Sequence, residues 1–135
     1  MSIETIGTGL KTRLDTITGL RVYAPNELPS AVNDLPAALI LPGPVNYHGD
    51  FASDYDYILR VVILLASQDQ PSAFNKILDY IEPSGTYSVL AAIEGDKTLS
   101  ATCDTLRVIR NLGITTTTWA GISYLSTEFE VAIYA

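Results

Sequence analysis

His48 and Asp50 stand two residues apart and close to Asp54 and Asp56, a grouping in which a carboxylate could orient the imidazole as a general base. Nucleophilic catalysis needs more than this. The chain has neither a G-x-S-x-G elbow nor a second histidine to serve a cysteine, so the group reads as a solvated acidic loop. No catalytic residue is assigned, and the chain reads as a non-enzyme. Asp50, Asp54 and Asp56 also invite a calcium reading, but their spacing does not match an EF-hand loop and the bidentate glutamate is missing. Gly7-Thr8-Gly9 resembles part of a phosphate-binding turn, yet it lies inside a helical pattern and follows no strand. The lone Cys103 has no basic neighbour to activate it and reads as a buried, inert thiol. One cysteine and one histidine exclude a disulfide and every Cys/His zinc set, so no metal or cofactor is expected.

Recognition is the stronger candidate. Tyr47, His48, Asp50, Phe51 and Tyr55 surround a Pro/Gly-rich loop, and Trp119 falls at a hairpin tip. Exposed aromatics of this kind are costly in a monomer and common at interface centres. These six residues are the interface candidates, the alternative being that the aromatics fold back onto their own core.

The elements that must carry them follow from the spacing of apolar residues. Ile3, Ile6, Leu10, Leu14 and Ile17 form one helical stripe stopped by Gly19, with Gly7 and Gly9 weakening it by about 1 kcal/mol each. Leu20 to Ala24 reads as a short strand, followed by a connection rich in proline and asparagine. Ala37 to Leu41 reads as a strand that leaves its sheet at Pro42-Gly43-Pro44. Tyr55 to Ala66 alternates with apolar residues on both faces, which predicts a central strand covered by helices on one side and by something else, such as a neighbouring subunit, on the other. Ser67 or Asp69 caps a helix containing Pro71, Phe74, Ile77, Leu78 and Ile81, and Ser88 opens a second helix that breaks at Gly95-Asp96. Thr105 to Thr118 and Ile122 to Ala135 then pair as a hairpin, with a bulge at Asn111-Leu112-Gly113.

The expected fold is therefore α+β: a mainly antiparallel sheet, an N-terminal helix and a central helical pair packed on one face, and a long C-terminal β-hairpin. At 135 residues with 47% hydrophobic and 17% charged residues, the chain suits one domain spanning 1–135. No apolar run reaches the roughly 20 residues of a membrane helix and no signal-peptide pattern is present, so a soluble, cytoplasmic protein is expected. A net charge of -7 disfavours tight binding to nucleic acid.

Several stretches, taken in order, resemble the tail terminator proteins of long-tailed bacteriophages with noncontractile tails. They are Leu20-Arg21-Val22-Tyr23, Leu41 to Tyr47, Tyr80 to Gly85, Ser88 to Glu94 and Tyr124 to Ala135, which together span nearly the whole chain. The resemblance implies a virion protein, assembled in the host cytoplasm, that forms a hexameric ring at the head-proximal end of the tail tube. There it would stop tube polymerisation and join the tail to the head connector. Its partners would be further copies of itself, the tail tube protein and the connector or stopper protein. DNA would pass through the lumen without specific binding, since six chains carry about -42 in total. The apolar second face of the Tyr55 to Ala66 strand is the expected ring contact. The competing readings are a head completion or stopper protein, a small hydrolase using His48 with Asp50, and a generic ligand-binding domain.

Overall fold

The computed structural model describes residues 3–30, 32, 35–47, 55–67, 77–99, 103 and 105–134, with the backbone alone at 46, 47, 55, 66 and 67. Helix α1 (Ile3–Leu14) is followed by β1 (Arg21–Tyr23), β2 (Ala37–Tyr47), β3 (Tyr55–Ser67), α2 (Val89–Glu94), β4 (Thr105–Trp119) and β5 (Ile122–Tyr134). The strands form one five-stranded sheet in the order β1-β2-β3-β5-β4. All pairs are antiparallel except β1 with β2, which is parallel. This is the α+β architecture expected from the sequence, with β3 at its centre.

Apolar alternation decides which face meets the helices. Leu59, Val61, Ile63 and Leu65 of β3, with Phe129, Val131 and Ile133 of β5, face the main core. Ile6, Leu10 and Leu14 of α1, Ile77 and Tyr80 of a helical stretch over 77–81, and Val89 and Ile93 of α2 close over them. Each large aliphatic side chain buried in this layer contributes about 1.5–3 kcal/mol. Arg13 Nε donates to the Ala92 carbonyl at 2.9 Å and so ties α1 to α2.

Three local readings need correction. Helix α1 ends at Leu14 rather than Gly19, because the chain tightens into i to i-3 bonds, Thr16 to Arg13 and Ile17 to Leu14. Ile17 stays buried within that turn. Gly7 does not disturb the helix, since its missing side chain is what admits the Pro25 ring. Strand β2 does not leave the sheet at its prolines. It runs on to Tyr47 opposite β3, with the register shifting between Pro42 and Val45. Proline is tolerated there because β1 pairs only with 37–39, which leaves the later part of β2 without a neighbour on that side among the described residues. Ser67 is the last residue of β3, opposite Tyr124. The helix start read at Ser67 or Asp69, with Pro71 and Phe74, falls on side chains and residues outside those described.

The remaining face of β3 is covered at one end by the chain itself. A parallel β1-β2 pair needs a connection of about a dozen residues or more, and here that connection crosses the sheet. Its Leu28 and Val32 pack with Leu39, Val62, Leu64 and Tyr124 in a second, smaller core. The Tyr124 hydroxyl donates to the Val32 carbonyl at 3.3 Å. The expected neighbouring subunit is therefore not what covers Val62 and Leu64.

Candidate interaction surfaces

The sequence candidates separate in the structure. Tyr47 and Tyr55 are opposite one another at the end of the β2-β3 ladder. Their side chains, and the whole of His48, Asp50, Phe51 and Asp54, lie outside the described residues. Asp56 sits in β3 between Asn46 and Tyr134. Trp119 turns onto its own chain: its ring packs on the second core and Nε1 donates to the Pro29 carbonyl at 3.0 Å. Cys103 is buried, with Sγ 3.7 Å from the Lys97 carbonyl oxygen. Thr8 of the Gly7-Thr8-Gly9 stretch donates to the Glu4 carbonyl at 3.0 Å within α1. Among the described residues no group of three or more His, Cys, Asp or Glu could hold a metal ion.

The open half of the second face carries charge rather than apolar surface. Arg60 of β3 pairs with Glu128, and Arg110 of β4 with Glu130 at 2.6 Å. Arg107 lies over the Tyr134 ring at 6.0 Å and has no carboxylate partner among the described residues. The hydrogen bond that Arg60 donates to Glu128 holds the guanidinium pKa above its usual value, against the opposing effect of burial. Glu130 raises Arg110 in the same way, by its hydrogen bond and then its charge. This solvated ladder does not offer the apolar ring contact expected of β3.

Exposed apolar side chains gather instead at the two ends of the sheet. Strand β4 is an outer strand of 15 residues, and it bulges twice, between Val108 and Arg110 and between Asn111 and Ile114. The first bulge leaves the Val108 amide to donate to Glu94 Oε2 of α2 at 3.0 Å. At the second, Gly113 takes φ +90, a left-handed conformation suited to glycine. Asn111 fixes it, accepting from the Gly113 amide at 2.8 Å and donating to Thr127 Oγ1 at 2.7 Å. These shifts turn Ile109 and Leu112 outward, where they are 47% and 44% exposed; Ile114 is exposed further along β4, and Ile122 is exposed at the start of β5, opposite Trp119.

At the other end, next to β1 and β2, lies a cleft of about 410 Å³ lined by Thr18, Gly19, Pro36, Asp79, Tyr80 and Tyr87. Tyr80 and Tyr87 meet edge to face with ring centroids 6.1 Å apart. Burial pushes the Tyr80 phenol up, reinforced by Tyr87 and Asp79. Tyr87 is 42% exposed and Leu78, on the same helical stretch as Asp79, is 52% exposed, with Leu35 also at the surface. All the large exposed apolar residues among those described belong to one of these two ends.

Sequence periodicity did not find the cleft, whose lining comes from four separate segments. The β4 surface did leave a signal: Ile109 and Leu112 break strict alternation and are flanked by Arg107, Arg110 and Asn111. No protein-family model matches the chain and no curated protein aligns with it.

Proposed function

We infer that this chain is a structural protein that acts as a ring of copies, the role implied by its resemblance to tail terminators. In that role it closes the head-proximal end of a phage tail tube, halts addition of tube subunits and presents a second surface to the head connector. The observation that supports the reading is the outer strand β4: long, without a strand partner on its outer side among the described residues, and with Ile109, Leu112 and Ile114 exposed along it. Exposed apolar residues along an outer strand suit a surface that another molecule covers.

A ring closes only through heterologous contacts, which join two different patches of each copy. Exposed apolar residues at both ends of one sheet meet that requirement. The net charge of -7 gives a ring a negative bore past which DNA moves without adhering. The test is electron microscopy of tails assembled with and without the chain. Tube length becomes uncontrolled in its absence under this reading; normal tails without it would overturn it.

A further inference from the structure

We propose that the aromatic cleft receives the β4 margin of a second copy of this chain, with Asp79 opposite Arg107 and Leu78 and Tyr87 against Ile109 and Leu112. The proposal rests on the ring reading and specifies its contact. The two surfaces lie at opposite ends of the sheet, the cleft next to β1 and β2 and the arginines on β4. Four interstrand steps of about 4.8 Å separate them, so one copy cannot join its own two ends. A contact between unlike patches this far apart suits a head-to-tail arrangement, the kind that propagates around a ring.

Charge decides the occupant. The chain as a whole is acidic, yet β4 itself contains Arg107 and Arg110 and no carboxylate. Glu130 engages Arg110, which leaves Arg107 as the cation on that margin without a carboxylate among the described residues. Its counterpart at the cleft is Asp79, on a helical stretch that is followed directly by Glu82. A second β4 margin would set Arg107 against Arg107, and a second cleft would set Asp79 against Asp79. Only the mixed pairing is attractive at both its charged and its apolar residues. The cleft volume of about 410 Å³ falls within the roughly 300–1,000 Å³ of ligand-sized sites and is open enough to admit side chains from a neighbouring strand.

The experiment is disulfide capture between two variants of the full chain, Leu78→Cys and Ile109→Cys, mixed under mild oxidation with buried Cys103 left in place. The expected product is the mixed 78–109 dimer, several-fold in excess of either homodimer. Adding Asp79→Arg to the first variant slows its formation roughly tenfold, and adding Arg107→Asp to the second restores it, because the pair is then reversed rather than broken. Cross-links in statistical proportion, or rates indifferent to these charges, would overturn the contact. Tails capped normally by Asp79→Arg would overturn it too, while leaving the ring reading intact. Efficient mixed capture by a chain whose loss leaves tail length normal would uphold the contact and reject the terminator role.

Discussion

Removing the Ser88 hydroxyl tests how the helical layer is fastened. Ser88 is 1% exposed and sits at the N-cap of α2, with φ -68 and ψ 122. Its Oγ accepts from the Ala91 amide at 3.1 Å and donates to the Glu82 carbonyl at 2.5 Å, so one atom starts α2 and ties it to the preceding segment. Ser88→Ala loses the cap, worth about 1 kcal/mol, and the second hydrogen bond, worth roughly another 1 kcal/mol because Glu82 is exposed and water can partly replace the donor. The expected loss is about 2 kcal/mol, or a fall of about 8 °C in Tm for a domain of this size. Ser88→Thr keeps both groups and is expected to stay within about 0.5 kcal/mol. Denaturant unfolding with the m-value compared between variants is the assay. If Ser88→Ala stays within about 0.5 kcal/mol at unchanged m, the cap does not hold the layer as argued.

Asn111→Ala removes the side chain that bridges the Gly113 amide and Thr127, and is expected to cost about 2 kcal/mol in chemical unfolding. It should also speed amide exchange along the second bulge. Trp119→Phe keeps an aromatic ring but not the donor to Pro29; a loss of about 1 kcal/mol is expected, with proteolysis appearing first in the 24–36 connection. Ala120 has φ 54 and Gly121 φ 80, both positive as a two-residue hairpin turn of this hand requires, so Ala120→Asn is expected to raise stability by about 0.5 kcal/mol in thermal unfolding. Tyr80 holds its proton in the fold above the ordinary phenol value of 10.0. Its share of stability is therefore intact below pH 10.0 and declines as pH rises through the folded pKa. Tyr80→Phe should flatten that alkaline decline, and the phenol it removes should be a late one in the tyrosinate absorbance titration.

Elements with strict periodicity were legible in the sequence. The two-sided apolar pattern of Tyr55 to Ala66 located the central strand, the Leu125-to-Ile133 alternation fixed which face of β5 meets the core, and Ser88 marked the start of α2. What periodicity could not convey was partnership across the fold. The parallel pairing of β1 with β2 depends on a 24–36 connection whose Leu28 and Val32 have no repeating pattern, yet these residues cover the second face of β3. The same limit hid the cleft, because Gly19, Pro36, Asp79 and Tyr87 are neighbours only after β1, β2 and the helical stretch have packed. Trp119 could be read in two ways from its position at the hairpin tip; the carbonyl it meets belongs to Pro29, 90 residues away.

The two borders of the sheet also differ in what they permit when the chain is abundant. Beyond Leu39 the border formed by β2 contains Pro42 and Pro44, which have no amide hydrogen to offer an incoming backbone. The border formed by β4 contains no proline, and its regular ladder is interrupted instead by the two bulges. Each border thus carries a device that opposes backbone zippering with another copy, prolines on one side and bulges on the other, which favours side-chain contacts over strand addition when the chain is abundant.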